Sequence, residues 1–146
     1  MSDKNQKKII LKQLEYPSKV LVAWKEAIGG NVEFRDFLIG SPYKELGIFC
    51  FAILNDKKSR KWLLDNNYGH LLATIEGIEG KDSALIFLKK NGFELLFHFA
   101  RSADSWKDSQ LWLQKNDQLM YAISLKIEYI KDEIELRNQD PHKLNP

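Results

Sequence analysis

The sequence predicts an all-α fold: a short α-solenoid of stacked helical hairpins with a 25-residue period, about ten helices and a longer C-terminal capping helix. Three observations carry this. An aromatic–leucine pair recurs at Phe37-Leu38, Trp62-Leu63, Phe87-Leu88 and Trp112-Leu113, each 25 residues after the last. Turn-forming residues recur on the same period, at Gly30, Asn55, Gly80 and Ser105. A third column, Leu21, Leu46, Leu71, Leu96 and Tyr121, is followed four residues on by Cys50, Ile75, Ala100 and Leu125 and seven on by Ile28, Ile53, Ile78 and Ala103, the spacing of one helical face.

In chain order, residues 3 to 15 read as a first helix with Ile9, Ile10 and Leu14 near one side. Pro17 suits the first turn of a second helix, because its missing donor costs nothing there. That helix runs to about Ile28 and stops at Gly29-Gly30. From Asn31 each unit holds two short helices. The first opens near Asn31, Asp56, Asp82 and Ser105 to Asp108, all capping chemistry. It closes at Ser41, Asn66, Asn91 and Asn116, where asparagine tolerates the left-handed turn. The second helix carries the leucine column. The last helix extends through Ile127, Ile130 and Ile134 to about Arg137 and is interleaved with charge, as a terminal cap requires. Residues 1–137 are thus read as one domain and 138–146 as a C-terminal tail.

A pair of ten-residue helices cannot bury its apolar face alone, so stacking must supply the core. The Phe37, Trp62, Phe87, Trp112 column is expected between units as core, not as a ligand platform. Over residues 17 to 137 the period and the helix-turn-helix alternation resemble the HEAT, armadillo and leucine-rich-variant class of helical solenoids. The unit is shorter than the roughly 40 residues of HEAT and armadillo repeats. The resemblance implies an all-helical binding scaffold and carries over no functional residue. A non-repeating helical bundle is the alternative.

Composition narrows the function. Lys and Arg total 22 against 20 Asp and Glu, a balance that does not by itself point to nucleic acid. One cysteine, Cys50, fits a reducing compartment. The run Ile9-Ile10-Leu11 is too short for a signal core, and no stretch approaches the roughly 20 apolar residues of a membrane span. A cytoplasmic protein is expected.

No metal, nucleophile or phosphate-loop motif joins the histidines, cysteine and glycines. The expectation is a non-enzymatic binder without cofactor or metal, most simply a protein–protein adaptor or an inhibitor or immunity-type protein. Its contact row is expected opposite the leucine column on the second helices: Lys44, Phe51, Glu76, Glu94, His98 and Arg101. Phe51 stands where its equivalents are charged, and His98 where they are apolar. Packing against a neighbouring unit is the competing role for Phe51. The alternative is nucleic-acid binding through Lys57, Lys58, Arg60 and Lys61, although interleaved acids favour a solvated face. A third reading is an enzyme pocket around His70, Glu76 and His98.

Overall fold

A computed structural model describes residues 15 to 138, with side chains to 136. Among them are nine helices and no strand. They are α1 (Ser18–Ile28), α2 (Val32–Ile39), α3 (Lys44–Ala52), α4 (Lys57–Asp65), α5 (Gly69–Ile78), α6 (Asp82–Lys90), α7 (Glu94–Ala103), α8 (Lys107–Asn116) and α9 (Gln118–Asn138). The helix expected over residues 3 to 15 falls almost wholly outside the described residues. So does the expected tail, except that Asn138 ends α9.

The helices start at regular steps. α2, α4, α6 and α8 begin at 32, 57, 82 and 107, and α3, α5 and α7 at 44, 69 and 94. The turn chemistry explains the first set. Gly30, Asn55, Gly80 and Ser105 hold φ of 105°, 73°, 91° and 74°. The amide after each donates back to the carbonyl five residues earlier, Asn31 to Glu26, Asp56 to Phe51, Lys81 to Glu76 and Trp106 to Arg101, at 2.9 to 3.3 Å. This wrap closes one helix and aims the next.

Local capping departs from expectation in two places. Asp82 and Asp108 lie inside their helices, and the N-cap positions are Lys81 and Trp106, whose side chains do not cap. Only Asn31 and Asp56 cap this set of helices with their own side chains, through Phe34 and Ser59. Asn66 and Asn91 keep negative φ, and the left-handed residues are the next ones, Asn67 and Gly92. The asparagines act through their amides instead. Asn66, Asn91 and Asn116 each donate to the carbonyl four residues back at 2.8 Å.

Packing sorts the helices into two layers. α1, α3, α5, α7 and α9 each touch the next, and α9 also packs against α1, so these inner helices close a ring. α2, α4, α6 and α8 lie outside, each against the two inner helices that flank it in sequence. The α1–α9 approach is close: a Cβ on Gly29 would sit 3.3 Å from Lys126 Cδ. The centre is filled. Trp24, Phe49, Thr74, Phe99 and Ser124, one from each inner helix, are fully buried. Trp24 meets the Phe49 ring edge-on at 5.0 Å and stacks on Phe99 at 5.8 Å. Leu46, Leu71 and Leu96 are buried as expected, and Leu38, Leu63, Leu88 and Leu113 anchor the outer helices at 0% exposure.

The aromatic neighbours of those leucines are less enclosed than expected. Trp62, Phe87 and Trp112 are half-buried, and Phe37 is 60% exposed. One residue turns a helix by about 100°, so when leucine points inward the aromatic before it falls on the seam. No helix among the described residues is long and apolar enough to cross a membrane.

Candidate protein-binding face

The six residues of the expected contact row lie on α3, α5 and α7, and each has a partner within the chain. Lys44 Nζ lies 5.5 Å over the Trp62 ring. Phe51 is half-buried beneath the Arg35 guanidinium, 4.5 Å from its ring centre. Glu76 is 3.8 Å from Lys81 Nζ, and Glu94 3.9 Å from His98 Nε2. Ala23 and Ala73, in the same row, are buried. The row therefore follows seams between inner and outer helices, and only its α7 members gather into one cluster.

That cluster joins α7 to α8. His98 Nδ1 lies 2.9 Å from Ser109 Oγ, and Arg101 Nη1 lies 3.1 Å from both Ser109 Oγ and Asp108 Oδ2. Arginine can only donate, so the Ser109 hydroxyl accepts from it, and its own proton is left to give to an unprotonated Nδ1. In that arrangement the neutral His98 carries its proton on Nε2, 3.9 Å from Glu94. Burial holds the imidazole below its ordinary pKa; Arg101 and Lys89 add to this, while Glu94 and Asp108 oppose it. Asp108 is held below the usual carboxylate range: slight burial works against this, and the Arg101 hydrogen bond and charge outweigh it. Ser109 is fully buried, so this hydroxyl positions the pair and offers no surface for attack.

Beside the cluster runs a ladder of cations and rings. Lys89 Nζ lies 4.7 Å and the Arg101 guanidinium 5.2 Å from the Phe97 ring centre. Arg101 also lies 4.6 Å over Trp106, which is 50% exposed. Ile86 and Leu111, on the neighbouring outer helices, are also exposed. A groove of about 420 Å³ opens between α6 and α7, lined by Asp82, Leu85, Ile86, Lys89, Lys90 and Phe97. Sequence reasoning passed over Trp106 and Ile86, yet the period marks both. Trp106 occupies the capping column of Asn31, Asp56 and Lys81. Ile86 and Leu111 stand where Asp36 and Lys61 do.

The other candidates are dispersed. Arg60 is committed to the Ala52 carbonyl at 2.9 Å and to the Glu79 carboxylate, and Lys61 to Asp65 at 2.7 Å. Lys57 and Lys58 remain exposed at the start of α4. His70 is fully buried between the rings of Tyr68 and Phe93, its ring nitrogens without hydrogen-bond partners. Burial lowers its pKa to about 4. Its ring contacts are thus separate from the His98 cluster. Among the described residues no group of three His, Cys, Asp or Glu side chains is placed to hold a metal.

No family model matches this chain, and no curated protein or solved structure matches it.

Proposed function

We propose that the chain is a short helical repeat of two-helix units whose first and last inner helices meet, and that it binds another protein through the outer face of α6, α7 and α8. The equal helix spacing and the repeated left-handed turns support the repeat. Because the centre of the ring is filled, binding falls to the outside. The observation that carries the reading is Trp106, half-exposed and stacked under Arg101, with Ile86 and Leu111 exposed on the outer helices that flank α7. Aromatic and arginine side chains fixed by their own contacts are the usual anchors of protein interfaces. The role is that of an adaptor or inhibitor that works by shape without chemical conversion. Cys50 is buried and its thiol is pushed up to about 12 by burial, with Arg35 opposing, so it packs as a small apolar side chain and takes no part in the proposed contact.

The test is capture of the native partner by wild type and by Trp106→Ser, with the captured protein identified and its affinity measured. The reading expects at least a tenfold loss in the variant, typical of a hot-spot side chain. Unchanged affinity would remove the face. Binding of single-stranded RNA that weakens steeply with salt, with no protein partner, would transfer the function to nucleic acid.

A further inference from the structure

We propose that the groove between α6 and α7 receives an acidic amphipathic segment of the partner, with an aliphatic side chain seated against Ile86, Leu85 and Phe97 and a carboxylate at Lys89 and Lys90. This rests on the protein-binding reading above and specifies the chemistry of the partner.

The argument begins with charge. Several cations already face carboxylates, Arg60 with Glu79, Lys61 with Asp65, Lys81 with Glu76 and Arg101 with Asp108, while the exposed Lys57, Lys58, Lys107 and Lys115 do not line this groove. Lys89 and Lys90 are exposed at the end of α6 and have no ion-pair partner among the described residues. Two adjacent ammonium groups without an internal counter-ion complement an acidic ligand.

The groove supplies the apolar half. Ile86 is 57% exposed on α6, and Phe97 forms the opposite wall on α7. Lys89 on the Phe97 ring places charge directly beside apolar surface, so one ligand residue can use the wall while its neighbour meets the lysines. The cavity of about 210 Å³ beneath α9 differs in this respect. Its rim charges Glu79, Lys131 and Glu135 are already paired, Glu79 with Arg60 and Lys131 with both Asp104 and Glu135, leaving nothing to select a ligand's charge. Single-stranded nucleic acid fits the groove less well, since the groove offers bases one ring, Phe97, which Lys89 and Arg101 already contact.

The probe is a fluorescein-labelled twelve-residue peptide with leucine at helical i, i+4 spacing and glutamate between. Controls replace glutamate with lysine or leucine with serine. Anisotropy titrations use the full chain, Ile86→Asp, and Lys89→Glu with Lys90→Glu. These side chains are exposed, so Ile86→Asp should melt with wild type and the double glutamate variant a few degrees lower from its charges at the α6 C-terminus, with both folded at the titration temperature, which circular dichroism checks. Binding of the acidic peptide is expected, weakened about tenfold or more by either variant and several-fold by raising salt, with neither control peptide bound. Equal binding of the lysine peptide, indifference to both variants, or no binding of the acidic peptide would overturn the groove assignment. Loss of native-partner affinity in Trp106→Ser alongside any of those outcomes would leave the protein-binding reading standing.

Discussion

The His98 imidazole lies flat on Trp112, ring centroids 4.2 Å apart and planes 17° from parallel, while Ser109 holds its Nδ1. Protonating His98 would force Ser109 to give up that donation and would turn a neutral stack into a cation–π contact. Burial, reinforced by Arg101 and Lys89, delays this below the ordinary value of 6.5. The fluorescence of Trp112 is therefore expected to change with a midpoint below pH 6.5, and the change should vanish in Trp112→Phe. A midpoint at or above 6.5 would mean that the pair is solvated.

His70 gives the protein a separate pH dependence. Its folded pKa, about 4, is depressed from 6.5, so the folded state resists the cation that the unfolded chain accepts. Its contribution is complete above pH 6.5 and is lost as pH falls toward 4. Chemical denaturation should show about 2 kcal/mol less stability at pH 5 than at pH 7 from this group. His70→Leu should flatten the profile and be at least as stable at pH 7, since it removes two buried nitrogens that lack partners. An unaltered profile in the variant would assign the acid sensitivity elsewhere.

Gly47 lets α2 lie against α3. A Cβ there would stand 2.8 Å from Ile39 Cδ1 and 3.0 Å from the Ile39 backbone nitrogen. Alanine raises helix propensity by about 1 kcal/mol, but the clash with backbone cannot relax by rotation. Gly47→Ala should be net destabilising by about 1–3 kcal/mol in urea titration. A gain in stability would show that the two helices separate easily.

The left-handed turns make opposite predictions at two equivalent places. Gly80→Ala should destabilise by about 1–2 kcal/mol, because φ of 91° opposes any Cβ. Asn55→Gly should be neutral or stabilising by up to about 1 kcal/mol, because Asn55 already holds φ of 73°. Thermal melts of both variants check the pair.

The helical class and most boundaries were legible because turns and leucines recur in step, and each repetition confirms the last. Trp24, Phe49, Thr74, Phe99 and Ser124 escaped notice for a physical reason. They share a position, but Thr74 and Ser124 are polar, and only the meeting of α1 with α9 makes that position central. A period fixes each step and leaves the accumulated curvature unstated. Of the α7 cluster, Arg101, His98 and Glu94 were singled out from the sequence as candidates, whereas the ladder through Lys89, Phe97 and Trp106 depends on how α6, α7 and α8 meet in space.

The most direct test of the account is photo-crosslinking inside the cells that make this protein, with a photoreactive residue placed in turn at Ile86, Trp106 and Phe37. All three side chains are exposed, and Phe37 lies on α2, away from the proposed face. Positions 86 and 106 should trap one and the same protein, with position 37 trapping none of it. Capture of that protein from position 37 alone, or of nothing but nucleic acid from all three, would contradict a partner seated on α6, α7 and α8.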